Sequence, residues 1–319
     1  MTMAATSISP GDGLLARLPA VRGRLTADAP LGKSTWFRVG GPAEVLFRPA
    51  DREDLAAFLA GCPEDVPVTV MGVASNLLVR DGGVPGVVIR LGRGFTDIVP
   101  DAAAGRVLAG AGTLDVNVAK VARDAGLAGL EFLAGIPGTI GGAVRMNAGA
   151  YGGEVVQVLD WAEVVDRAGQ VSRRSAAELG LSYRHSDLVD GEVVTAALFR
   201  AEPGAPEEIG ARIVQITEAR GATQPIRSRT GGSTFANPPG EKAWQLIDKA
   251  GCRGLTLGGA QVSQQHTNFL INTGDATAAD LEALGEEVRR RVRDMSGIEL
   301  RWEIRRIGVA ADSKGEIDG

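Results

Sequence analysis

The chain has 319 residues, too many for one small module, and its 44 glycines with only 4% aromatic residues describe a globular protein rich in tight turns. A formal charge of −5, with no Lys/Arg stripe interleaved with aromatics, excludes the electrostatic footprint of a nucleic-acid binder. Cys62, Cys252, His185 and His266 lie too far apart for a metal-ligand or disulfide framework, no apolar run approaches the about 18 residues of a membrane span, and Met1–Gly13 lacks signal-peptide regions, so a soluble, cytoplasmic protein is expected.

Residues 1–19 are small and polar at their start and are expected to form a disordered arm. Alternating apolar residues edged by glycine or proline predict strands over Thr35–Val39, Ala43–Arg48, Pro67–Met71, Gly86–Leu91 and Arg106–Ala111. A helix should follow Asp51, whose side chain can cap it while Leu55, Phe58 and Leu59 form its apolar stripe. Another should follow Thr113 and stop at Gly126. Ala162–Val165 and Gln170–Arg173 predict a hairpin. The Glu202-Pro203-Gly204-Ala205-Pro206 stretch marks a linker, so two units are expected, 20–201 and 205–308, with a disordered tail over 309–319. In the second unit, Ile209, Ile213 and Ile216 predict one helix and Leu281, Leu284, Val288, Val292 and Met295 another after Thr277. Glu299–Ile307 should be a closing strand with Leu300, Trp302 and Ile304 on one face and Arg301, Glu303 and Arg305 on the other. This element order favours an α+β fold over a doubly wound sheet.

Three segments have the look of phosphate sites. Ala27–Ser34 fits a relaxed Walker pattern, but polar Arg22–Thr26 precedes it and Trp36–Pro42 cannot hold the helix that a P-loop requires. Gly72-Val73-Ala74-Ser75-Asn76-Leu77 directly follows an apolar strand, so its small residues allow amides to approach an anion; an ordinary turn is the competing reading. The run Gly135-Ile136-Pro137-Gly138-Thr139-Ile140-Gly141-Gly142-Ala143, continuing through Asn147-Ala148-Gly149, is glycine-rich, apolar and nearly uncharged, as suits backbone lying against a large flat ligand. Gly110-Ala111-Gly112 upstream offers another amide-lined turn. None contains GxGxxG, so no Rossmann site is spelled.

Candidates for chemistry are fewer. Arg184, in Tyr183-Arg184-His185-Ser186, can fork onto a carboxylate or phosphate, or remain a solvated loop charge. Ser233 lies between Gly231-Gly232 and Pro238 but lacks the second glycine of a hydrolase elbow, which leaves a proton donor or a turn residue. Glu303 lies between Arg301 and Arg305, where a solvated ion-pair ladder is the plain alternative. Spacing alone does not decide between ligand contact and loop packing for His266.

In order along the chain, Thr35–Ala43, Ala74–Val79, Gly135–Gly152, Tyr183–Ser186, Gly232–Pro238, Ala243–Asp248, His266–Phe269 and Glu303-Ile304 resemble the UDP-N-acetylenolpyruvoylglucosamine reductase family. Each piece is weak, and the ordered set, spanning about 20–308, is specific. The resemblance implies a vanillyl-alcohol-oxidase (PCMH) type FAD domain of two subdomains, about 20–92 and 93–201, followed by a smaller α+β substrate domain. The short stretch between Ser186 and Phe199 resembles the shorter type, without an extra substrate-capping insertion.

By the same resemblance, 72–77, 110–112 and 135–149 would hold FAD, while Arg184, Ser233, Asn237 and Glu303 would meet the substrate. NADPH would reduce FAD and leave, and UDP-N-acetylglucosamine enolpyruvate would take its place. Hydride from the flavin would reach the vinyl carbon, Arg184 and Glu303 would stabilise the enolic charge, and Ser233 would protonate the adjacent carbon to give UDP-N-acetylmuramate. No histidine precedes residue 185, so FAD is expected to be noncovalent. A monomer is expected. The competing readings are another flavoenzyme of the superfamily, such as a sugar-lactone oxidase, a non-catalytic UDP-sugar binder, and a serine hydrolase.

Overall fold

The computed structural model describes residues 10–311. Its first layer is a four-stranded sheet in the order Arg24–Pro30, Pro42–Arg48, Val84–Ile89, Val68–Val70. The first two strands pair antiparallel and the others parallel. The helix Arg52–Gly61 buries Leu55, Phe58 and Leu59 against Val45, Phe47, Val87 and Ile89 of this sheet. Asp51 accepts the Asp54 amide at 2.9 Å, the cap that its position predicts.

The second layer is a five-stranded antiparallel sheet, ordered Val171–Ser175, Leu159–Val165, Val193–Arg200, Arg106–Gly110, Ile98–Asp101. The helix Asp115–Asp124 packs Val118, Ala119 and Ala122 into its core. So does the long helix Pro206–Thr223, through Ile209 and Ile213. By its packing this helix goes with the second layer, although it follows the linker that the sequence placed before a separate unit. Its inward face meets the apolar surface offered by Leu127, Leu130 and Leu133.

The last layer joins the strands Thr256–Leu257, Ala260–Val262 and Leu270–Asn272 to the helices Ala243–Lys249 and Ala278–Ser296. Thr277 and Asp280 cap the last helix reciprocally, and Gly297 ends it at φ +73°. Phe37, Val39 and Leu78 from the early chain complete this core.

Three expectations need correction. Thr35–Val39 is irregular, because Arg38 takes φ +59° and the Thr35 hydroxyl bonds the Gly32 and Val39 carbonyls, curling the chain while Phe37 and Val39 stay buried. The closing strand is confined to Arg305–Ile307, which pairs in parallel with Leu77–Val79. Within the expected N-terminal arm, Pro10–Leu15 is helical and Leu14 lies in the first core. Residues 1–9 of that arm, and 312–319 of the expected tail, lie outside the described residues. Val309 bonds the Gly82 and Gly83 main chain, so the described start of the tail is pinned.

Candidate active site

A cavity of about 1620 Å³ opens between the layers. Three of the predicted segments form its walls: Gly72–Leu77, Ala111-Gly112, and Gly135–Thr139 with Gly141–Ala143 and Ala148-Gly149. The glycines matter here as absence of bulk. An added Cβ at Gly142 or Gly232 would make only ordinary van der Waals contact, 3.8 Å from Thr139 Oγ1 and 3.6 Å from the Ser75 carbonyl oxygen, so without it the bare backbone leaves that much more room along the cavity wall. Elsewhere the cradle is tight: a Cβ on Gly72 would lie 2.6 Å from Thr139 Oγ1, which locks two of the predicted turns together. Ala74 holds φ +56°, the turn conformation that favours glycine.

Arg184, Ser233 and Glu303, separated in sequence, line this same cavity. Arg184 Nε donates to Glu303 Oε1 at 2.7 Å, and its Nη2 donates to the Gly149 carbonyl at 3.2 Å. Its backbone sits at φ +55°, an uncommon conformation for a side-chain-bearing residue, and its guanidinium lies 5.3 Å from the Tyr183 ring centre. Burial pushes the Glu303 carboxyl above the usual carboxylate range, and the Arg184 charge pulls it back. Glu303 therefore pairs across the chain with Arg184, and the ladder with Arg301 and Arg305 does not form.

Ser233 is positioned through its neighbour. Thr234 donates its amide to the Asn268 carbonyl at 2.8 Å and accepts the Glu303 amide at 2.8 Å. Asn268 also brackets Phe235, accepting its amide at 2.9 Å and donating to its carbonyl at 2.8 Å. A Cβ on Gly231 would run into the Phe37 ring at 2.3 Å, so only glycine lets the loop pass there. Among the described residues the Ser233 hydroxyl makes no hydrogen bond, which leaves its proton available to a ligand.

Three predicted residues do not line the cavity. Gly110 packs against the Phe95 backbone. Asn147, buried and at φ +40°, bonds Glu154, the Ser182 carbonyl and the Val156 amide, so it ties the glycine-rich run to the loop leading to Arg184. The Asn237 Oδ1 accepts the Ala243 amide at the start of a helix. His266 packs its ring edge-on to Phe269, 4.8 Å between centres, and does not reach the cavity. The sequence reading missed Tyr151, Arg145, Arg220 and Arg305, all of which line the cavity. Arg145 and Tyr151 belong to the same glycine-rich run and Arg305 follows Glu303 by two residues, whereas nothing local signals Arg220.

Comparison with known proteins agrees with this geometry. Residues 43–175 match the FAD binding domain family, and residues 224–307 match the C-terminal domain of UDP-N-acetylenolpyruvoylglucosamine reductase. The chain is 63% identical over 298 residues to the UDP-N-acetylenolpyruvoylglucosamine reductase of Azorhizobium caulinodans, covering 93% of this chain and 96% of that one. It is 62% identical to that of Acidiphilium cryptum, covering 92% and 94%. The crystal structure of the Thermus caldophilus enzyme (MurB) superposes with a TM-score of 0.76 at 38% identity, covering 91% of this chain and all of that one. The fold is shared more widely: 6-hydroxy-D-nicotine oxidase from Arthrobacter nicotinovorans gives a TM-score of 0.55 at 12% identity, over 93% and 92%. The cavity built from glycine turns, the FAD-domain match and the full-length similarity together establish that this chain belongs to the UDP-N-acetylenolpyruvoylglucosamine reductase family and is an FAD-dependent oxidoreductase.

Proposed function

We propose that this protein reduces UDP-N-acetylglucosamine enolpyruvate to UDP-N-acetylmuramate, a precursor of peptidoglycan, with NADPH as the reductant. FAD would be held without a covalent bond by Gly72–Leu77, Ala111-Gly112, Gly135–Thr139, Gly141–Ala143 and Ala148-Gly149, and would supply the hydride for the vinyl carbon. The observation that carries the reading is the convergence of Arg184, Ser233 and Glu303, from three distant segments, on the cavity that the glycine turns line.

Their chemistry fits the proposed step. With one donor on Glu303 and another on Gly149, Arg184 retains its Nη1 hydrogens for a substrate carboxylate. Hydride arriving at the vinyl carbon pushes negative charge into that carboxylate, where a guanidinium already fixed in place stabilises it without reorganisation. Glu303 serves the same task by accepting the Arg184 Nε hydrogen bond at 2.7 Å, which fixes the guanidinium where the charge develops. The proton from Ser233 Oγ then goes to the carbon next to the one that took the hydride, and the serine regains a proton from solvent. A serine hydroxyl is a weak acid in water, but an enolic carbon base in a dry site is strong enough to take its proton.

The test is anaerobic. The purified protein should be yellow, NADPH should bleach it, and the enolpyruvate substrate should restore the colour. With both substrates sharing one cavity, steady-state double-reciprocal lines should be parallel. A colourless chain that takes up no FAD would sink the reading, and intersecting lines would remove the shared cavity. Oxidation of NADPH that ignores the enolpyruvate but consumes oxygen would favour the sugar-lactone oxidase alternative.

A further inference from the structure

Asp115 is buried to 0% exposure, and neither oxygen of its carboxyl has a formed hydrogen bond or a cationic partner. It stands at the first turn of the helix Asp115–Asp124, directly behind the cavity wall. Its Oδ2 lies 2.8 Å from where a Cβ on Gly138 would sit, and Ser75 Oγ lies 3.7 Å from the same point. Gly138 and Ser75 both line the cavity. The local chain is knitted at this spot: Asp115 donates its amide to the Gly138 carbonyl at 3.2 Å, Leu114 bridges Thr139, and Ile140 donates to the Thr113 carbonyl. Thr113 Oγ1 is a second buried oxygen without a partner.

An ionised carboxylate in such a place would cost several kcal/mol, with only the Gly138 amide to offset it. No charged group acts on it: burial and the Gly138 amide are the only influences on its carboxyl, and the Ser75 hydroxyl near Gly138 and the Thr113 hydroxyl two residues before it are neutral. The Gly138 amide alone opposes the effect of burial, which pushes the carboxyl well above its ordinary range.

We propose that Asp115 is a positioning residue for the cofactor: held as the neutral acid, its carboxyl braces the turn at Gly138 from behind and so sets the surface on which FAD lies. This rests on the reading that 135–149 hold FAD. A carboxyl fills the space under Gly138 without adding a second negative charge close behind the wall that the FAD diphosphate would approach. The brace therefore weakens when Asp115 ionises.

Asp115→Asn, a neutral isostere, and Asp115→Ala, which empties the space, separate shape from charge. The infrared difference spectrum between wild type and Asp115→Asn at pH 7 should show a protonated-carboxyl C=O band, in the chain with or without FAD. FAD release, followed by recovery of flavin fluorescence, should be nearly unchanged in Asp115→Asn and about tenfold faster in Asp115→Ala, the ratio that about 1.4 kcal/mol of lost positioning produces. Wild-type release should quicken as pH rises while Asp115→Asn stays flat. Carboxylate bands alone, Asp115→Asn releasing FAD as fast as Asp115→Ala, or an unchanged Asp115→Ala would each overturn the proposal. If Asp115→Ala fails to fold, the infrared band and the two pH profiles decide it. A chain that takes up no FAD fails the functional reading, and the infrared band still reports whether the carboxyl is neutral.

Discussion

Asn76 Nδ2 donates to the main-chain oxygen of Glu303 at 3.1 Å, and the Asn76 carbonyl accepts the Arg305 amide at 3.0 Å. A residue of the small-residue turn after Val68–Val70 thus holds the chain that carries the partly buried Glu303 from the far end of the sequence. The parallel pairing of Leu77–Val79 with Arg305–Ile307 continues the same seam. Asn76→Ala should lower stability by about 1 kcal/mol, the net worth of one such bond. It should also slow flavin reoxidation by the enolpyruvate more than flavin reduction by NADPH. Stopped-flow traces of the two half-reactions check this; equal slowing would mean that Asn76 acts on FAD alone.

Ser233 offers a sharper split. Ser233→Ala should leave NADPH-driven bleaching nearly intact and slow reoxidation by more than the ~10²–10⁴ that a typical general acid contributes, because no other side chain in the proposed step donates to that carbon. Rapid mixing of reduced enzyme with substrate measures it. A comparable loss in both directions would take the proton-donor role away from Ser233.

The pairing of Arg184 with Glu303 gives a pH signature. The Glu303 carboxyl is raised by burial, so it keeps its proton to higher pH in the native chain than in the unfolded one. Its contribution to stability is then full below the unfolded value of 4.5 and is lost as pH rises through the folded value. Arg184 opposes that rise. Arg184→Ala should raise the carboxyl further, so the melting-temperature gap between wild type and variant should widen as pH climbs from 4.5 toward neutrality. A constant gap over that range would show that Glu303 does not feel the guanidinium.

What was legible in the sequence follows from locality. Asp51 and Thr277 cap their helices as their positions predict, because a cap is set by residues three apart. The glycine runs announced by composition alone a stretch of backbone that lines a cavity. Thr35–Val39 misled because its alternation looks like a strand, whereas the Thr35 hydroxyl and the positive φ of Arg38 curl it. Asn147 and Asn237 lie in the right segments, but their side chains serve the backbone, and their partners lie at positions that no spacing rule reveals. Asp115 went unnoticed because an acidic residue in the first turn of a helix is ordinary helix chemistry until its burial is known.

Gly285 tests whether the last helix controls the site at a distance. It falls in the apolar stripe of Ala278–Ser296, and a Cβ there would lie 2.2 Å from Cη2 of Trp302, the residue just before Glu303. The Trp302 ring also packs on Phe235, 5.1 Å between centres, two residues from Ser233, and its Nε1 donates to Glu286 at 2.7 Å. Alanine improves helix propensity by up to about 1 kcal/mol over glycine. Overpacking a filled core costs about 1–3 kcal/mol, and the ring cannot yield without moving one of its two anchors. Gly285→Ala should therefore lower the melting temperature and slow reoxidation by the enolpyruvate, with NADPH reduction of the flavin little changed. If the variant melts higher than wild type and keeps both rates, the indole has room to shift, and the helix does not hold Glu303 in place through Trp302.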